Sequence, residues 1–239
     1  MAARHYLAFA DALAAGGTAV FVHEWRGHGS SSLRAGRTMD WGYRELLMLD
    51  LAASEAAVVA ALPGMPRVIG GHSLGGQLAC LRLALAPDTA AALWLVGSGS
   101  PYWRAFPWPQ RAGLPLVYRF LPWLAERNGA LPGRRIGFGG NESRGVMADW
   151  ARSARTGRYA ASRVEADLEL RLRGITSDVR AVLFTDDWLA PEGSLRFLLQ
   201  KMPLAASRQV VFDATALGRP ADHFSWMQAP GPVAAWLGR

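Results

Sequence analysis

With 239 residues, 51% of them hydrophobic and 19% charged, the chain suits one globular domain with an inserted subdomain and excludes intrinsic disorder. No apolar run reaches the roughly 18 residues that a membrane-spanning helix needs, and the single cysteine, Cys80, excludes an intramolecular disulfide and a Cys-rich zinc site. The formal charge of +7 is concentrated: residues 101–180 hold 14 Arg against 7 Asp/Glu, while the flanking segments balance at 7 against 7 and 5 against 5. Without a basic run, a helix-turn-helix signature or an RNA-binding aromatic motif, that distribution argues against a nucleic-acid partner.

Residues 3–15 predict a helix closed at Gly16-Gly17, where glycine adopts the left-handed conformation that ends helices. Asp11 interrupts what would otherwise pass for the apolar part of a signal peptide, so a cytoplasmic protein is the default expectation. Thr18 to His23 is a short β-branched and aromatic run and predicts a buried strand. The loop Arg26-Gly27-His28-Gly29-Ser30-Ser31-Ser32 follows. A helix is predicted from about Trp41 to Leu62, with Leu47, Leu51, Val58 and Leu62 on one face. Pro63-Gly64 ends it, and Arg67 to Gly71 predicts a strand that runs directly into Ser73. Leu74, Leu78, Leu81 and Leu85 share a face of the next helix, and Ala91 to Val96 is another strand. This alternation predicts an α/β fold with a mostly parallel central sheet.

Residues 101–176 break the rhythm. Six prolines, from Pro101 to Pro132, are expected to interrupt any long element, and the stretch is rich in Trp and Tyr. It reads as an inserted helical cap, with core segments at 1–100 and 177–239. The alternation resumes with a strand at Val179–Thr185, a helix from about Pro191 to Lys201, a strand at Gln209–Phe212 and a last helix from about Phe224 to Leu237.

The chemistry is concentrated in Gly71-His72-Ser73-Leu74-Gly75-Gly76, a GxSxG placed between a predicted strand and a predicted helix. A sharp strand-to-helix turn lifts Ser73 Oγ above the sheet, and small residues at 71 and 75 are expected to let the backbone pass close by. The N–H groups of the helix start suit a developing negative charge. A phosphate loop is excluded because no Lys-Ser/Thr follows the glycines. A serine needs a base and an orienting acid, in the chain order Ser, Asp/Glu, His. Only one histidine follows Ser73, namely His223 in Asp222-His223-Phe224. For the acid, the strand ending in Thr185 is followed by Asp186-Asp187; consecutive side chains diverge there, so one faces His223 and the other faces away. Asp187 is the expected acid and Asp186 the alternate. Leu74 N–H is the expected oxyanion donor.

These residues, with Asp-Asp-x-x-Ala-Pro at 186–191 and the Arg-Gly-His-Gly-Ser loop, resemble the α/β-hydrolase fold. Gly97-Ser98-Gly99-Ser100-Pro101-Tyr102-Trp103 and Gly137-Phe138-Gly139-Gly140 resemble, more narrowly, a sparsely characterised group of bacterial predicted hydrolases. The resemblance covers nearly the whole chain and also places the acid at Asp187. It implies a cytoplasmic serine esterase or thioesterase that works through an acyl-enzyme on a small, largely apolar substrate, with no cofactor and no metal. An acyltransferase using the same three residues, and a catalytically impaired binding module, are the alternatives. A serine at position 73 argues against dehalogenase and epoxide-hydrolase chemistry, for which the fold places an aspartate there.

One departure matters. Met1 to Tyr6 resembles the entry to the first helix in relatives, so the strands and oxyanion loop that precede it in the family are not in this sequence, and the translated start is expected upstream. The strand at 18–23 and that at 67–72 would then face a gap, and the lost oxyanion donor would weaken turnover about 10²–10³-fold. Elsewhere, His23-Glu24 with His28 misses the HExxH spacing by one residue and is read as part of the turn after a strand, not as a metal site. His72 and Cys80 are expected to pack, and the aromatic residues of 101–176 to pack or line an apolar pocket.

Overall fold

A computed structural model describes residues 1–137 and 140–239. A 3₁₀ turn at Ala3–Tyr6 leads into α1 (Leu7–Ala15). The second helical stretch is α2 (Tyr43–Glu45), a π-helical turn at Leu46–Asp50 and α3 (Leu51–Ala61), continuous with one another. Then come β1 (Val68–His72), α4 (Leu74–Leu85) and β2 (Ala92–Val96). Four helices follow: α5 (Gln110–Asn128), α6 (Gly133–Ile136), α7 (Arg144–Thr156) and α8 (Leu168–Arg173). The chain closes with β3 (Asp178–Phe184), α9 (Glu192–Leu199), β4 (Ser207–Phe212), α10 (Ala214–Leu217) and α11 (Gly231–Leu237).

The described sheet is four-stranded and wholly parallel, in the order β1-β2-β3-β4. Parallel strands need helical crossovers, so both faces are covered and the strands alternate between two apolar layers. Leu93, Leu95, Val179, Ala181 and Leu183 join α4, α8 and α9 in the larger cluster. Val96, Val182 and Phe184 point the other way, onto Trp226 and α11. Phe184 stacks on the Trp226 ring at 5.7 Å.

Three expectations are corrected. Thr18–His23 forms no ladder among the described residues, and Phe21 and Val22 are exposed. A strand is defined by its hydrogen-bonding neighbour, and β1, the nearest in chain order, pairs only with β2. Second, Pro115 and Pro122 do not stop α5, which runs unbroken for 19 residues. Seven residues apart, they lie on one side of the helix, and the packing of Tyr118, Leu121 and Ala125 against α7 outweighs their two lost hydrogen bonds. Third, the last helix does not start at Phe224: Ser225–Gln228 is a 3₁₀ turn, and α11 begins after Ala229-Pro230. Proline forces the preceding Ala229 out of the helical region, to φ −140° and ψ 63°.

Segment 101–176 is helical and tied to the sheet-bearing part by polar contacts around Trp41 to Tyr43. Ser143 Oγ donates to Trp41 O at 2.7 Å, Val146 N–H donates to the same carbonyl at 3.0 Å, and Tyr43 N–H donates to Asp149 Oδ2 at 3.0 Å. No helix among the described residues is long and apolar enough to cross a membrane.

Candidate active site

β1 ends at His72 and α4 begins at Leu74, so Ser73 alone makes the turn, at φ 55° and ψ −125°. A non-glycine residue there stores about 1–3 kcal/mol of backbone strain that surrounding contacts must hold. Ser73 N–H donates to Val96 O at 3.0 Å, and the buried Ser98 donates its hydroxyl to Ser73 O at 2.7 Å. The strand-to-helix crossing is close: a Cβ on Gly71 would sit 2.4 Å from the Gly75 carbonyl carbon, and one on Gly76 would sit 2.4 Å from Ser98 Oγ. The expectation that position 75 must be small is corrected, because a Cβ there meets nothing within 4 Å. The crowding falls on 71 and 76 instead.

In the turn after β3 and the loop after α10 the other two expected residues meet. His223 Nδ1 lies 2.8 Å from Asp187 Oδ2, and both side chains are buried. Asp187 Oδ1 accepts the N–H groups of Leu189 at 2.9 Å and Ala190 at 3.0 Å. An ionised carboxylate only accepts, so Nδ1 carries a hydrogen and donates it to Asp187. Asp186, the alternate acid, is exposed, and its N–H is held by Ala221 O. The turn into His223 is set by Asp222, whose carboxylate accepts from Phe224 N–H and Ser225 N–H, each at 2.8 Å.

Ser73 and His223 are brought to one corner through His72. Its ring packs 4.5 Å from that of His223 and 5.4 Å from that of Trp226, and Tyr6 Oη shares a 2.9 Å hydrogen bond with its Nδ1. Burial, followed by the charge on His223, holds the His72 imidazole well below the usual histidine range, and burial pushes the Tyr6 phenol up to about 12. Among the described residues no hydrogen bond joins Ser73 Oγ to His223, and Leu74 N–H has no partner.

Sequence reasoning missed the site role of Gly97 and Ser98. Gly97 stands at φ 47°, and a Cβ on it would crowd Asp187 Oδ2 at 3.1 Å and the His72 ring at 3.3 Å. The available signal was the small-residue run at the end of β2. His23, Glu24 and His28 separate: His23 Nδ1 bonds Ser54 Oγ, Glu24 takes the N–H of Ala3 and Ser30, and the buried His28 lies 3.3 Å from Glu142. Cys80 is buried, with its thiol pushed up to about 12 by burial. A groove of about 620 Å³ lies beside the Asp187 turn, between Tyr102, Phe106, Pro191 and Phe197, and touches none of Ser73, Asp187 and His223. Of Gly137-Phe138-Gly139-Gly140, Phe138 and Gly139 lie outside the described residues.

The family model described as "Serine aminopeptidase, S33" (Hydrolase_4) matches residues 2–152. No curated protein matches the sequence. Among solved structures, the chain is similar to a thermophilic esterase from Thermogutta terrifontis at 17% identity and a TM-score of 0.65, covering 99% of this chain and 84% of that one. It is similar to the Paleococcus ferrophilus monoacylglycerol lipase at 16% identity and a TM-score of 0.61, covering 99% and 90%. A thioesterase domain from the curacin biosynthetic pathway superposes at 18% identity and a TM-score of 0.57, covering 99% and 86%. At these identities the likeness is one of fold, and it is the α/β-hydrolase fold.

Proposed function

We propose, on the premise that the chain belongs to the Hydrolase_4 family, that it is a serine hydrolase cleaving a carboxylic ester or thioester of a small, largely apolar substrate. The observation that carries this reading is the buried Asp187–His223 pair beyond the end of β3, next to the strained turn that presents Ser73. Ser73 Oγ attacks the substrate carbonyl carbon while its proton passes to His223 Nε2. The carbonyl electron pair moves to oxygen, where Leu74 N–H donates to it. When the tetrahedral intermediate collapses, the bond to the alcohol or thiol breaks, and His223 returns the proton to that leaving group. Water, deprotonated by the same imidazole, then releases the acid and restores Ser73. Asp187 keeps Nδ1 protonated and stabilises the imidazolium that forms twice in each cycle.

The esterase, the lipase and the thioesterase domain among the similar structures support an ester or thioester over other acyl bonds. The family description favours a second reading, hydrolysis of an amide at a peptide N-terminus by the same three residues. Helices α5–α8 act as the cap over the site in this proposal. Binding without turnover is distinguished by the same experiment, and acyl transfer by repeating it with an added alcohol or amine acceptor and following the acylated product. The purified protein and Ser73→Ala are labelled with a fluorophosphonate, then assayed on p-nitrophenyl esters, an acyl thioester and an aminoacyl p-nitroanilide. Labelling and ester or thioester cleavage that both vanish in Ser73→Ala are expected. A folded wild-type protein that takes no label overturns the hydrolase reading, and cleavage confined to the anilide overturns the ester reading.

A further inference from the structure

Helix α5 is apolar on two sides. One side carries Tyr118, Leu121 and Ala125 and is buried against α7, where Tyr118 meets the Trp150 ring edge-on at 5.0 Å. On the opposite side Leu116, Phe120 and Trp123 follow at helical spacing and remain 72%, 52% and 56% exposed. The Phe120 and Trp123 rings lie against each other at 5.7 Å, so the stripe is continuous, and Trp108 just before the helix is 72% exposed. These four side chains present on the order of 400–600 Å² of apolar surface, comparable to the largest patch on an ordinary monomer, which is often a functional one.

The charge around the stripe is predominantly basic. Residues 101–128 carry four arginines, at 104, 111, 119 and 127, and one acid, Glu126, which is turned toward Arg144 at 3.6 Å. At 100° per residue Arg127 lies in line with Phe120, and Arg119 flanks it. Arg37 adds a further cation at the end of the helix, where its guanidinium donates to Arg127 O at 3.1 Å. Exposed aromatic rings bordered by arginines combine an apolar face that water rejects with cations whose stems can lie along it. The partner that satisfies both is a bilayer surface bearing anionic headgroups: the rings enter the headgroup and acyl boundary, and the guanidinium groups pair with phosphates. A second copy of this chain would bring arginine against arginine across the stripe.

We propose that the exposed face of α5, centred on Phe120 and Trp123, docks the protein on an anionic membrane surface. The proposal stands beside the hydrolase reading, since docking requires no turnover. Co-sedimentation with phosphatidylcholine vesicles, with and without phosphatidylglycerol, tests it on the whole chain. Binding to the anionic vesicles that weakens with added salt is expected. Phe120→Ser/Trp123→Ser and, separately, Arg119→Glu/Arg127→Glu are each expected to weaken it on the order of tenfold or more. All four substitutions are exposed, and circular dichroism together with unchanged cleavage of a water-soluble ester verifies the folds. Wild-type protein that stays in solution with every vesicle, or variants that bind as wild type does, overturns the proposal. A dimer in sedimentation velocity that Phe120→Ser/Trp123→Ser abolishes, with no vesicle binding, assigns the face to a second copy instead.

Discussion

Asp187 divides its carboxylate between two tasks: Oδ2 lies 2.8 Å from His223 Nδ1, while Oδ1 is held by two backbone N–H groups of its own turn. The second task aims the first, because the carboxylate cannot rotate away from His223 without stranding Leu189 N–H and Ala190 N–H. Asp187→Asn is therefore expected to lower kcat by roughly 10⁴-fold with the fold intact, since an amide facing Nδ1 favours the wrong tautomer. Asp186→Asn, at an exposed neighbour, is expected to stay within about threefold. Steady-state kinetics on one ester compares them, and equal losses would place the acid elsewhere.

The elbow glycines are not equivalent. At Gly71 a methyl group would press on the Gly75 backbone at 2.4 Å, and backbone cannot step aside as a side chain can. Gly71→Ala should cost about 1–3 kcal/mol and abolish fluorophosphonate labelling. Gly75→Ala meets open space on a helix and should be neutral or stabilising by up to about 1 kcal/mol. Urea titrations of both variants measure the difference.

Asp149 fastens α7 to two other parts of the chain. It is 1% exposed; Oδ2 accepts Tyr43 N–H at 3.0 Å, and Oδ1 accepts Ser162 N–H at 3.2 Å and Ser162 Oγ–H at 3.0 Å. Its ion pair with Arg152 contributes little, because that guanidinium is 40% exposed and screened by water. Asp149→Ala leaves the Tyr43 and Ser162 donors unmatched and should cost about 2–4 kcal/mol. The measurement is the urea midpoint at constant slope, and a change within error would mean that other groups replace the carboxylate.

Acid should destabilise the protein through its buried imidazoles. Burial, and after it the charge on His223, holds His72 well below its usual value, and burial lowers His23 as well. The unfolded chain takes up protons near pH 6.5 that the folded chain refuses. Stability is therefore full above that pH and falls below it, by up to about 1.4 kcal/mol per pH unit for each such histidine until its folded pKa is reached. Urea unfolding at about pH 7.5 and about pH 5.0 should show the loss, and His72→Gln should shrink it. An undiminished loss in that variant would clear His72 of the effect.

Much of the fold was legible because its signals are local. The elbow needs only a strand pattern, a serine between glycines and a helix pattern; β2 and β3 came within a residue of their predicted bounds, and α4 holds all four leucines of the predicted face. The proposed acid and base were legible for a related reason: strand ends and the turns after them are where a parallel sheet places side chains above its edge. The role of position 97 was not, because a missing side chain beside Asp187 is meaningful only once β2 and β3 are paired.

By itself, then, the sequence determined which segments are helix or strand over most of the chain, where the strained serine sits, and which single histidine can follow it. Those properties depend on backbone preferences and side-chain periods that span a few residues. Only the tertiary structure decided that Thr18–His23 forms no ladder, that α5 continues through two prolines, that a side chain at position 97 would crowd Asp187 and the His72 ring, and that Leu116, Phe120 and Trp123 face outward. Each of these turns on what stands beside a residue: a hydrogen-bonding strand, a packed helix, an imidazole, or water. An apolar stripe reads the same in sequence whether another element covers it or not.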